Sequence, residues 1–147
     1  MFDVFISYKS EERLEALHIK NFLQANGLEC WMDQSQIQIG QDYERQISKV
    51  MPECRSLVLL ISYASQNSKE VKLEYELAQK NNLQIFPVKI EDCKLSDYYD
   101  SKMRHTQIAK EFWKSEQEKQ KILCSIVKSR FRCKLPLGAP GCCQGNA

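Results

Sequence analysis

Glu74 places a carboxylate where the local pattern asks for a hydrophobe. Residues 68–80 (Ser-Lys-Glu-Val-Lys-Leu-Glu-Tyr-Glu-Leu-Ala-Gln-Lys) carry helical periodicity, and a helix turns by about 100° per residue. On that wheel Val71, Leu73, Tyr75, Leu77 and Ala78 share one broad arc with Glu74 inside it, whereas Lys72 and Glu76 fall on the polar side. A carboxylate on a core-facing stripe must find a partner, shift its pKa or open into a cleft. Any of these makes it a candidate for chemistry. The plainer alternative is a rim Glu whose stem lies along the apolar edge with its head in water.

The elements around it must present that carboxylate. Asp3–Ser7 is a short apolar run that leads into Ser10, Glu11 and Glu12, which predicts a strand followed by an N-capped helix. That helix carries Leu14, Leu17, His18, Ile19, Phe22 and Leu23 at helical spacing, with His18 read as a partly buried packing residue. It should end near Asn26-Gly27. Leu28–Met32 predicts a second strand, the polar stretch Asp33–Gly40 a loop, and Gln41–Met51 a helix closed by Pro52, with Tyr43, Ile47 and Val50 or Met51 inward. Ser56–Ser62 is continuously apolar enough for a central strand covered on both faces. Leu83–Ile90 predicts a fourth strand, with Pro87 marking an end or irregularity. Residues 91–105 read as a loop with a short helix, and Thr106–Phe112 as a fifth, edge strand. Ser115-Glu116-Gln117-Glu118 is a capping box before the last helix.

Steady alternation of strand and helix means a parallel sheet with helices on both faces. In such sheets ligands bind outside the carboxyl ends of the strands. That rule points to Ser7-Tyr8-Lys9-Ser10 after the first strand, Asp33–Gly40 after the second and Ser62–Ser68 after the third. Glu74 lies about two turns into the helix fed by the third loop.

At 147 residues the chain fits one domain. A net charge of +2 argues against nucleic acid or a membrane surface as partner. No apolar run reaches the ~18–20 residues of a membrane span. Met-Phe-Asp-Val-Phe-Ile lacks the features of a signal peptide, so a cytoplasmic location is expected. Of the seven cysteines, Cys30, Cys54, Cys93, Cys124 and Cys133 are scattered singly, which suits reduced structural thiols better than a disulfide framework, and the remaining pair lacks metal-site spacing. The Pro/Gly-rich residues 135–147, with the adjacent Cys142 and Cys143, read as a poorly ordered tail.

Taken together, the segments resemble the Toll/interleukin-1 receptor (TIR) domain family. The likeness rests on Asp3-Val4-Phe5-Ile6-Ser7-Tyr8, on Gly27–Asp33 followed by Gly40, on Leu57–Ser62, and on Glu74-Tyr75-Glu76-Leu77-Ala78 ahead of Ile85-Phe86-Pro87-Val88. It implies a flavodoxin-like three-layer α/β sandwich with a five-stranded parallel sheet, spanning residues 1–134. Family members either signal as scaffolds through TIR–TIR contact or cleave NAD+ at the nicotinamide–ribose bond. The enzymes release nicotinamide and ADP-ribose, or a cyclised or conjugated form of it.

In the family's enzymes the essential residue is a Glu on the helix after the third strand. Counting back from Pro87-Val88 places that position at Glu74 rather than Glu70 or Glu76. The resemblance sets Lys9 and Ser10, beside Ser7 and Tyr8, near the nucleotide, and Gln38, Ile39 and Gly40 in a loop over the substrate, with Asp33 at the cleft mouth. Ser68 and Glu70 complete the substrate-binding set expected. Each has a plainer alternative: Lys9 as a solvated charge, Gly40 as a turn residue, Asp33 as a turn cap. One position departs from the pattern, since enzymatic relatives commonly carry Trp four residues before the Glu and here that residue is Glu70.

The leading expectation is a cytosolic NAD+ glycohydrolase or cyclase with NAD+ as substrate and no cofactor or metal, capable of TIR–TIR self-association. It is similar to stand-alone bacterial TIR proteins of antiphage defence, which make a nucleotide signal for a separate effector. The alternative is a non-catalytic TIR scaffold. A phospho-receiver of the same fold would need an acidic pair after the first strand and an Asp after the third, where Ser7-Tyr8 and Ser62-Tyr63 stand.

Overall fold

A computed structural model describes residues 1–32, 42–110 and 112–131, with side chains as far as Ser129. Among the described residues four parallel strands, β1 (Phe2–Ser7), β2 (Cys30–Met32), β3 (Cys54–Ile61) and β4 (Gln84–Lys89), lie in the order β2-β1-β3-β4. The helices are α1 (Arg13–Ala25), α2 (Tyr43–Val50), α3 (Tyr63–Gln66), α4 (Lys69–Lys80), α5 (Asp97–Lys102) and α6 (Glu116–Phe131). Short 3-10 turns at Ser10–Glu12 and Met51–Glu53 precede α1 and β3.

Because side chains alternate along a strand, each strand feeds two cores. Val4, Ile6, Val58, Leu60 and Val88 pack with residues of α1 and α6 on one face. Phe5, Leu57, Leu59 and Ile61 pack with α2, α4 and α5 on the other. Only one residue of β3 is exposed, which explains its near-continuous apolar sequence. Ser7, two residues beyond Phe5, therefore points toward the α4 side.

The expected fifth strand reduces, among the described residues, to one bridge between Val88 and Ala109. Ala109 N–H donates to the Pro87 carbonyl at 3.0 Å, and Lys89 N–H to the Ala109 carbonyl at 2.8 Å. The stretch Thr106-Gln107-Ile108-Ala109-Lys110 has a single branched apolar residue, too little to extend the pairing. Pro87 sits inside β4, opposite Leu59, and only its carbonyl is used by the outer segment. A residue without N–H fits there because the outer edge asks nothing of it.

Other expectations shift locally. Ser10 does not cap α1: its hydroxyl donates to Glu11 at 3.0 Å, and a 3-10 turn intervenes. His18 is exposed, and Leu14 is 83% exposed, because the stripe buried against the sheet is Ala16, Ile19 and Leu23. Cys30, Cys54 and Cys93 are buried free thiols. No helix among the described residues is long and apolar enough to cross a membrane. The tail, residues 135–147, lies outside the described residues.

Candidate functional site

Ser68 starts α4, its Oγ accepting the Val71 N–H at 3.2 Å. The cap sets the phase of the helix, and Val71, Glu74, Tyr75 and Ala78 become its buried stripe. Glu74 is only 2% exposed. A carboxylate so buried needs hydrogen-bond donors, and it has them at both oxygens. Ser7 Oγ, from the last residue of β1 and itself fully buried, donates to Oε1 at 2.5 Å. The Tyr43 hydroxyl, from the first residue of α2, donates to Oε2. Of the outcomes open to Glu74, finding partners is realised. The constellation joins residues 67 and 31 positions apart in sequence at the carboxyl end of β1.

Ser62 follows β3 and caps α3 reciprocally with Ser65, through Ser65 N–H to Ser62 Oγ at 2.9 Å and Ser62 N–H to Ser65 Oγ at 2.8 Å. Glu12 approaches this cap. Burial pushes its pKa up, Ser62 partly opposes that, and neighbouring Glu91 adds to the rise. Glu91 in turn accepts the Tyr63 N–H at 3.1 Å. The carboxyl edge of the sheet is thus lined by hydroxyls and carboxylates.

Of the other expected site residues, Lys9 adjoins Ser7 and gives its carbonyl to the Glu12 N–H at 2.7 Å. Tyr8 packs against the opposite core and accepts from Arg13 at 3.1 Å, so alternation turns it away from Glu74. Ser10 is exposed and bonded to Glu11. Besides capping α4, Ser68 donates to Glu70 Oε2 at 3.2 Å, and Glu70 itself is exposed. Asp33, Gln38, Ile39 and Gly40 lie outside the described residues. Tyr43 entered the sequence reading only as an inward residue of α2. A buried tyrosine hydroxyl wants a partner, but no spacing connects it with Glu74.

Two open concavities lie on the β4 side instead. One, of about 630 Å³, runs between β4, residues 105–109 and α6; the other, of about 780 Å³, is rimmed by Lys89, Lys94, Arg104 and Lys110. Neither is lined by Glu74, which is held by Ser7 and Tyr43. Among the described residues no group of three His, Cys, Asp or Glu side chains could hold a metal ion.

Solved structures share this architecture. The TIR domain of the Toll-related receptor TRR-2 from Hydra magnipapillata superposes with a TM-score of 0.71 at 14% identity, covering 88% of this chain and 98% of that one. A TIR-STING receptor from C. gigas gives 0.64 at 20% identity over 94% of this chain, which spans 42% of the receptor chain. TIR domains of the Roq1 resistosome give 0.52 at 18% identity, covering 91% and 86%. At such identities the likeness shows the fold alone. No curated protein matches the chain. The family model described as the TIR domain matches residues 4–124, from within β1 into α6, and the chain belongs to the TIR domain family.

Proposed function

We propose that this TIR domain cleaves NAD+ at the nicotinamide–ribose bond, with Glu74 as the catalytic carboxylate. The observation that carries the reading is a buried carboxylate at the carboxyl edge of a parallel sheet, held at both oxygens by hydroxyl donors. Nicotinamide leaves a pyridinium-linked ribose as a neutral molecule, so no proton need be given to it. Positive charge builds instead on the ribose as an oxocarbenium ion. A fixed carboxylate beside the ribose hydroxyls orients the sugar and stabilises that charge. Water, or a nucleophile within the same molecule, then completes ADP-ribose or a cyclic product.

The reading extends to a cytoplasmic role in defence signalling, with a nucleotide product acting on a separate effector. The competing reading is a scaffold acting by TIR–TIR contact. It is favoured by the near-complete enclosure of Glu74 and by an exposed carboxylate at Glu70, where enzymatic relatives carry an aromatic.

The deciding experiment incubates the full chain with NAD+ and follows nicotinamide release. Glu74→Gln is expected to lower kcat by about 10²–10³-fold, the usual cost of losing a transition-state charge stabiliser. Release unchanged by that substitution sinks the mechanism, and an inert wild-type chain gives the scaffold the lead.

A further inference from the structure

Tyr43 and Ser7 put two hydroxyl groups on the two oxygens of Glu74. A ribose presents the same chemistry, two adjacent hydroxyls facing one carboxylate. The resting contacts therefore stand where a bound ribose would have to stand. One of the two donors, Tyr43, is half-buried against the core beneath α4 and stands on the first turn of a short helix. Of α2 only Ile47 is buried, and Glu44, Arg45 and Gln46 of its first turn are exposed. Asp42, the residue that presents Tyr43, lies in the left-handed region at φ 55° and makes no side-chain capping bond. A non-glycine residue holds that conformation at a cost, which surrounding contacts must offset. Ser7, by contrast, is fixed at the end of a fully buried strand segment.

We propose that Tyr43 gates Glu74: its hydroxyl occupies one carboxylate oxygen in the resting chain, and the ribose diol of the substrate displaces it as the first turn of α2 moves aside. The inference rests on the reading of Glu74 as the carboxylate that meets a ribose. Binding then draws on the fraction of molecules in which Tyr43 has swung away, and the apparent affinity is lower than the intrinsic one by that fraction.

The test uses the full chain and two readouts, calorimetric binding of ADP-ribose and steady-state nicotinamide release from NAD+. Tyr43→Phe removes the competing hydroxyl and keeps the ring. It is expected to bind ADP-ribose about three- to tenfold more tightly, the worth of one modest hydrogen bond, and to lower KM for NAD+ in the same sense. Asp42→Gly acts in the opposite sense, because glycine accepts the left-handed backbone and strengthens the closed arrangement. It should weaken ADP-ribose binding and raise the urea midpoint. Unchanged or weaker binding by a Tyr43→Phe chain that unfolds like the wild type overturns the gate. Should that variant fail to fold, unchanged or tighter binding by Asp42→Gly overturns it. Nicotinamide release without any tightening in Tyr43→Phe removes the gate and leaves NAD+ cleavage standing. Tightening without release does the reverse, and no ADP-ribose binding by any variant removes both.

Discussion

Burying a carboxylate costs several kcal/mol unless donors replace the lost water, and the environment of Glu74 shows how the chain meets that cost. Two hydroxyls supply donors to its two oxygens. Glu12 is the contrasting case on the same edge. Its Oε1 is buried and has no hydrogen-bond partner, and burial with nearby Glu91 raises its pKa. A carboxyl whose folded pKa lies above its unfolded value of 4.5 weakens the fold when ionised. The penalty is absent below the unfolded pKa and grows as pH rises through the folded one. Glu12→Gln is therefore expected to raise the urea midpoint at pH 7.5 and to leave it unchanged at pH 4. A gain of equal size at both pH values would show that ionisation is not the cause.

At the scale of elements, α1 and α4 end alike. Leu28 N–H bonds the Leu23 carbonyl and Gly27 N–H that of Gln24, both at 3.0 Å; Leu83 N–H bonds Ala78 at 2.9 Å and Asn82 N–H bonds Gln79 at 3.0 Å. Both are left-handed caps, with Gly27 at φ 88° and Asn82 at φ 59°. The left-handed conformation costs an L-residue about 1–2 kcal/mol, whereas glycine gives up about 0.5–1 kcal/mol in chain entropy. Strain outweighs entropy, so Asn82→Gly should stabilise the protein by about 0.5 kcal/mol in urea unfolding; a lowered midpoint would contradict this. Asn26-Gly27 was readable as a helix end because the glycine is a direct signature. Asn81-Asn82 was weaker, since asparagine serves turns and caps of several kinds. Thr106–Phe112 misled more, because a strand at a sheet's edge depends on what its neighbour offers, and β4 offers one bridge.

For the whole molecule, β3 is the strand that both layers bury over nearly all of its length. Leu59 pairs with Ser7 on one side and Pro87 on the other, and is 1% exposed in the core beneath α4. Leu59→Ala is expected to cost about 2–5 kcal/mol and to keep a single cooperative urea transition. A loss below about 1 kcal/mol would mean that this core repacks around the gap. The alternating strand and helix pattern, the central strand and the anomalous Glu74 were all legible in the chain, because burial on one face or two writes itself into local periodicity. That pattern places Ser7 at a strand end and Glu74 on a core stripe, each by its own neighbours. It does not bring them together. The partnership of Ser7, Tyr43 and Glu74 joins three elements whose approach depends on strand order and on the seating of α2 against α4, and only the tertiary structure decides those. Hydroxyl and carboxylate carry no periodic signal of each other, so the enclosure of Glu74 became visible only in the fold.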